Sequence, residues 1–170
     1  ADFKPVNDDF KAILQTEEAK NSVLEIDLIA AGLGDYEEFA VPSLDKDDPG
    51  FASSDWTNFL YVNNETQTVA RWPNGEYEAG ELFKPWDKSY TWFRIPSEKA
   101  GLWSSVDNMH AFGYARNAWS PAYTDSVCVD TENSAVGIAL KHYSSENNRF
   151  YLFNIPCELD EPGEYYWDVD

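Results

Sequence analysis

Basic side chains are scarce in this chain: 12 Lys and Arg stand against 31 Asp and Glu, a formal net charge of −19. A surface that negative repels phosphate backbones and anionic headgroups, so nucleic acid and membrane partners are excluded. Long apolar runs are missing too. The stretch Val23–Leu33 is broken by Glu25 and Asp27, which rules out a membrane-spanning helix. Histidine occurs only at His110 and His142, without the His-x-His or His-Glu-x-x-His spacing of a zinc hydrolase. There is no Gly-x-Ser-x-Gly elbow and no Gly-rich phosphate loop. No catalytic residue can be named.

Cysteine is limited to Cys128 and Cys157, whose spacing fits neither a C-x-x-C redox pair nor a zinc half-site. They are either buried free thiols or a disulfide. The disulfide is the expectation, because the acidic, Trp-rich composition leans extracellular; it would stabilise the fold by roughly 3–4 kcal/mol. A plain meander of Tyr123–Val129, Ala135–Tyr143 and Arg149–Ile155 would hold the two Cα atoms about 9.5 Å apart, too far for a bridge. A disulfide therefore requires something other than that meander: Tyr123–Val129 beside Arg149–Ile155, Tyr123–Val129 in the facing sheet, or a chain that bends inward where Cys157 follows Pro156. No basic, apolar leader is present, and the start at Ala1 fits signal-peptide removal as well as loss of an initiator Met. A secreted or cell-surface location is the expectation.

Aromatic rings are abundant: seven Trp, ten Tyr and ten Phe. Rings fill β-rich cores and also stack on flat ligands. A chain of 170 residues with 43% hydrophobic residues can bury one ordinary core, and no linker or repeat divides it, so residues 1–170 read as a single domain. Asn7 or Asp8 can cap a short N-terminal helix with Phe10, Ile13 and Leu14 on one face, ending near Asn21. Leu24, Ile26 and Leu28 then alternate like a half-buried strand. After the turn-rich segment Leu44–Asp55 come short strands at 58–62, 68–72, 81–84, 89–95, 109–116, 123–129, 135–143, 149–155 and 164–169. Of these, 135–143 and 149–155 predict a hairpin. Strands at this spacing without intervening helices predict a mainly β fold, an antiparallel β-sandwich of jelly-roll-like type.

In Ser89–Ile95 one phase is Thr91, Phe93 and Ile95, and the other is Tyr90, Trp92 and Arg94. With the first phase in the core, the second presents two rings and a guanidinium outward, which suits stacking on a pyranose while polar groups bond its hydroxyls. Trp86, Trp103 and Trp119 sit in turn-like surroundings and join the same candidate ligand-binding set. Asp45, Asp47 and Asp55 could hold calcium in a non-EF-hand geometry; Pro49 and Trp56 occupy positions where an EF-hand needs oxygen ligands. No other cofactor is implied. The acids Glu158, Asp160, Glu161, Glu164, Asp168 and Asp170 read as solvated charge.

Three functions fit. A non-catalytic carbohydrate-binding module, with a polysaccharide or glycan partner, is favoured by the aromatic strip. A structural or surface-assembly subunit, filament- or fimbria-like and joining itself or other surface proteins through free strand edges, comes next. A small polysaccharide-acting enzyme is third, since a pair of carboxylates can always be found among 31.

Overall fold

The computed structural model describes residues 3–32, 60–75, 77–85, 87–117, 120–139 and 149–168. It is mainly β, with several antiparallel sheets and few helices. No helix among the described residues is long and apolar enough to cross a membrane.

The single helix expected near the N-terminus is two helices. After strand β1 (Lys4–Pro5), α1 (Asp8–Ile13) begins where the Asn7 side chain accepts the Phe10 N–H at 2.8 Å. Thr16, in the extended region, ends any continuation and caps α2 (Glu17–Ser22) by accepting the Ala19 N–H at 3.0 Å. Leu14 is buried with Val6, Ala19, Ala70 and Leu159, and Phe10 packs beside them, whereas Ile13 stays exposed. The alternating strand expected next is only β2 (Leu24–Glu25), paired with β1, and its Leu24 is exposed.

Strands β3 (Tyr61–Val62) and β4 (Glu65–Thr66) form a hairpin over Asn63 and Asn64. Both turn residues have positive φ, 52° and 67°, a conformation that Asn tolerates better than most side chains. Then follow β5 (Thr68–Val69), β6 (Arg71–Trp72), β7 (Glu78–Ala79), β8 (Leu82–Lys84) and β9 (Thr91–Arg94). Helix α3 (Ser97–Trp103) comes next. After it are β10 (His110–Asn117), β11 (Ser120–Thr124), β12 (Val127–Asp130), β13 (Ala135–Ile138), β14 (Arg149–Phe153) and β15 (Glu164–Tyr165), the last parallel to β5.

Two larger sheets dominate. One has the order β11-β10-β14-β6, with β7 also paired to β14; the other has the order β12-β13-β9-β8. Phe93, Val136 and Ile138 from the second sheet and Ala111, Ala122, Phe150 and Leu152 from the first enter one buried cluster, closed by Ala100 and Trp103 of α3. The predicted hairpin of residues 135–143 and 149–155 does not form. Strand β13 has β12 and β9 as its neighbours, while β14 lies between β10 and β6 in the other sheet. Residues 123–129 are likewise not one strand: the chain leaves the first sheet after Thr124 and enters the second at Val127.

The disulfide is also corrected, for both cysteines are free. Val127 and Val129 pack on the core, so alternation turns Cys128 to the opposite face of its sheet. Cys157 lies in that core, so the sheet itself stands between the two thiols. Glu158, read from sequence as solvated, is 1% exposed. It accepts from Lys99 at 2.6 and 2.8 Å, from Trp103 Nε1 at 2.8 Å and from Gln15 Nε2 at 3.1 Å.

His110 is buried and stacks on Phe153 at 5.3 Å. Burial pulls its pKa down from 6.5 to about 4. Between those values the unfolded chain binds a proton that the fold refuses, so stability falls as pH drops through this window. The full loss is on the order of 3 kcal/mol. Relief of carboxylate repulsion acts in the other direction, and added salt isolates it. We expect the melting temperature to rise with salt at pH 7 and to fall between pH 6.5 and 5.5. In a His110→Phe variant the acid slope should flatten; an unchanged slope would assign it to other groups.

Candidate ligand-binding face

The outer face of the β12-β13-β9-β8 sheet gathers three of the sequence-predicted residues. Along β9, Thr91 and Phe93 are buried, Trp92 is half-buried and Arg94 exposed, which is the phase read from the sequence. Trp92 faces Gly137 across the β9–β13 pair, and Gly137 faces Cys128 across β13–β12. A methyl group on Gly137 would lie 2.8 Å from Cys128 Sγ and 3.1 Å from two benzenoid carbons of Trp92. The indole therefore rests against bare backbone, in space that any other residue would fill.

Asp87 fixes the other end of the indole. Its Oδ2 accepts from Trp92 Nε1 at 3.2 Å and Lys84 Nζ at 2.9 Å, and its Oδ1 accepts from the Ser89 and Tyr90 backbone N–H groups at 3.0 Å each. The Tyr90 N–H first, and then the Lys84 ammonium, hold this carboxyl well below the usual carboxylate range. Those bonds set the turn that delivers Tyr90, whose ring centroid lies 5.7 Å from that of Trp92 at an interplanar angle of 59°. The Tyr90 hydroxyl meets that of Ser126 at 3.4 Å.

Arg94 lies with Cζ 3.8 Å over the Phe83 ring and donates to the Asn133 carbonyl. Asp130 holds that turn by accepting from the Asn133 N–H at 2.9 Å and its side-chain amide at 2.8 Å, bonds that lower its pKa. The face thus offers two adjacent rings, a stacked guanidinium and two carboxylates fixed in the charged, accepting form. A glycosidase acid needs the opposite, a carboxyl held protonated. Burial pushes the Cys128 thiol up, so it is not an activated nucleophile. Neither Asp87 nor Asp130, held ionised in this way, can serve as that acid.

Of the remaining predicted residues, Trp103 is not on any surface. It closes α3, is fully buried, and spends its N–H on Glu158. The run Ser-Glu-Lys-Ala after Pro96 forms a helix, so Ala100 and Trp103, three apart, face the core together. Trp86, Trp119 and the candidate calcium ligands Asp45, Asp47 and Asp55 lie outside the described residues. Among the described residues no group of three or more His, Cys, Asp or Glu could hold a metal ion.

A second set of rings escaped the sequence reading. On the outer face of the other sheet, Phe112 of β10 pairs with Tyr151 of β14, their centroids 5.2 Å apart. Tyr77 lies 5.6 Å from Tyr151 and 5.7 Å from Tyr114. Arg149 stacks 4.5 Å over Tyr114, and Arg71 lies 4.9 Å over Tyr151. The signal was the alternation His110, Phe112, Tyr114 and Arg149, Tyr151, Phe153, which becomes a surface only once the register of the two strands is known.

The chain matches no protein-family model, and neither the curated proteins nor the solved structures hold a significant match to it. Function is therefore read from the site.

Proposed function

We propose that this protein is a secreted, non-catalytic carbohydrate-binding module and that the Tyr90–Trp92–Arg94 face takes neutral glycan. The two larger sheets would pack as a jelly-roll-like sandwich, with this face turned to solvent. The observation that carries the reading is the mounting of Trp92: laid against Gly137 and tied at its N–H by Asp87, the indole is held rigid before any ligand arrives. A fixed flat ring loses little entropy on stacking against the apolar face of a sugar. Asp87, Asp130 and Arg94 stand beside it as acceptors and donor for hydroxyl groups. The net charge of −19 favours uncharged chains over uronate- or sulfate-bearing ones.

Immobilised arabinoxylan, xyloglucan, galactomannan and β-glucans, set beside polygalacturonate, test this directly. Retention of at least one neutral polysaccharide and none of polygalacturonate is expected. Binding to none of the neutral chains, or to the acidic one alone, would overturn the proposal.

A further inference from the structure

We infer that the molecule is bivalent: the outer face of the β11-β10-β14-β6 sheet is a second platform for neutral glycan, so one chain can bridge two carbohydrate strands. The inference rests on the carbohydrate reading above and extends it to residues that reading does not use.

Residues from both sheets enter one buried cluster, so their outer faces point away from each other. Alternation that sends Ala111, Phe150 and Leu152 inward sends Phe112, Tyr114 and Tyr151 outward. One end of that outer face is already covered, since Tyr165 and Trp167 pack on Tyr123 and Phe153. At the other end Tyr77 and Tyr114 are only half-buried and Arg149 is exposed. Arg149 lies over both rings, 4.5 Å from the centroid of Tyr114 and 5.9 Å from that of Tyr77. Among the described residues no carboxylate forms an ion pair with it. The ring stack fixes the position of the Arg149 N–H groups.

The chemistry resembles that of the first face: rings in contact at steep angles, a stacked guanidinium, and phenol hydroxyls as donors. Burial raises the Tyr77 and Tyr151 pKa values, so both phenols remain protonated donors at neutral pH. A polyanion is disfavoured by the net charge despite the two arginines. A protein partner would bury the rings but leave these polar groups to find matched partners, whereas a sugar supplies a hydroxyl at nearly every carbon. The fitting occupant is a second neutral glycan chain.

Calorimetry with hexasaccharides of xyloglucan, galactomannan, arabinoxylan and mixed-linkage glucan, paired with turbidity of the parent polysaccharides, tests bivalency. Two oligosaccharides per wild-type chain are expected, with turbidity that peaks near equivalence and clears in excess protein. Trp92→Ala and Tyr77→Ala should each bind one and clear the turbidity, and the double variant none. Arg149→Ala, at an exposed position, serves should Tyr77→Ala fail to fold, with at least a tenfold loss at one site. One site in the wild type, removed by Trp92→Ala, overturns bivalency and leaves the first face standing. One site removed by Tyr77→Ala or Arg149→Ala but indifferent to Trp92→Ala overturns the first face instead. Absence of any binding overturns both.

Discussion

Replacing Lys99 with Met should destabilise the protein by about 3 kcal/mol, near the lower end of what breaking a buried ion pair costs. Glu158 is 1% exposed and Lys99 16%. The ammonium reaches both carboxylate oxygens, and without it the charge keeps, among the described residues, two close neutral donors, Trp103 Nε1 and Gln15 Nε2, with the Cys157 thiol farther off at 4.0 Å. The two close donors come from α3 and from the bend between α1 and α2, so the carboxylate ties three parts of the chain together. Urea unfolding at pH 7 reads the effect. The double variant Lys99→Met/Glu158→Leu should recover part of the loss, because it removes the stranded charge along with its partner. A single-variant loss below about 0.5 kcal/mol would mean that water reaches Glu158 and that the pair is a surface contact in energetic terms.

Gly113→Ala should cost about 3–5 kcal/mol or prevent folding, combining backbone strain with overpacking. Gly113 has φ of +147°, and a Cβ there would lie 2.2 Å from the Arg149 carbonyl oxygen and 2.6 Å from Phe150 Cα. Both obstacles are backbone atoms of the partner strand, so no rotamer change can clear them. The strain falls where β10 meets β14, the pair that carries Phe112 and Tyr151. Gly101→Ala is the control. It lies in α3 with nothing within 4 Å of the added methyl group, and should be neutral or stabilising by up to about 1 kcal/mol. Equal thermal melts for the two variants would contradict the close approach at Gly113.

What could be read from the sequence was what alternation alone decides. Thr91-Trp92-Phe93-Arg94 has one apolar and one amphipathic phase, and a strand has only two faces, so the outward set followed at once. The mounting of Trp92 was not legible, because Asp87 is close in sequence but Gly137 is 45 positions away. Residues 135–143 and 149–155 misled for a related reason. Both are short, apolar and separated by a polar loop, as hairpin strands are, yet the pattern carries no information on which sheet each one joins. Trp103 misled because Gly101 and the serines after it imitate a turn. Its burial depends on Glu158, a carboxylate 55 residues on whose charge marked it for solvent. A buried ionised partner is what local composition predicts worst, since its stability comes from contacts made only in the fold.

If the rigid outward indole binds neutral sugar, its removal in Trp92→Ala must weaken the affinity. Calorimetry should use the neutral oligosaccharide with highest affinity for the wild type, under conditions where only the Tyr90–Trp92–Arg94 face is scored. Selective alkylation of half-exposed Cys128 beside the ring, against buried Cys157, supplies that score. The prediction is at least a tenfold weaker Kd for Trp92→Ala, consistent with loss of roughly 1.4 kcal/mol or more of stacking, with the thermal melt preserved. The same sugar should slow Cys128 alkylation in the wild type and not in the variant. Unchanged affinity in a folded Trp92→Ala protein, with Cys128 alkylated equally fast whether or not sugar is present, would contradict it.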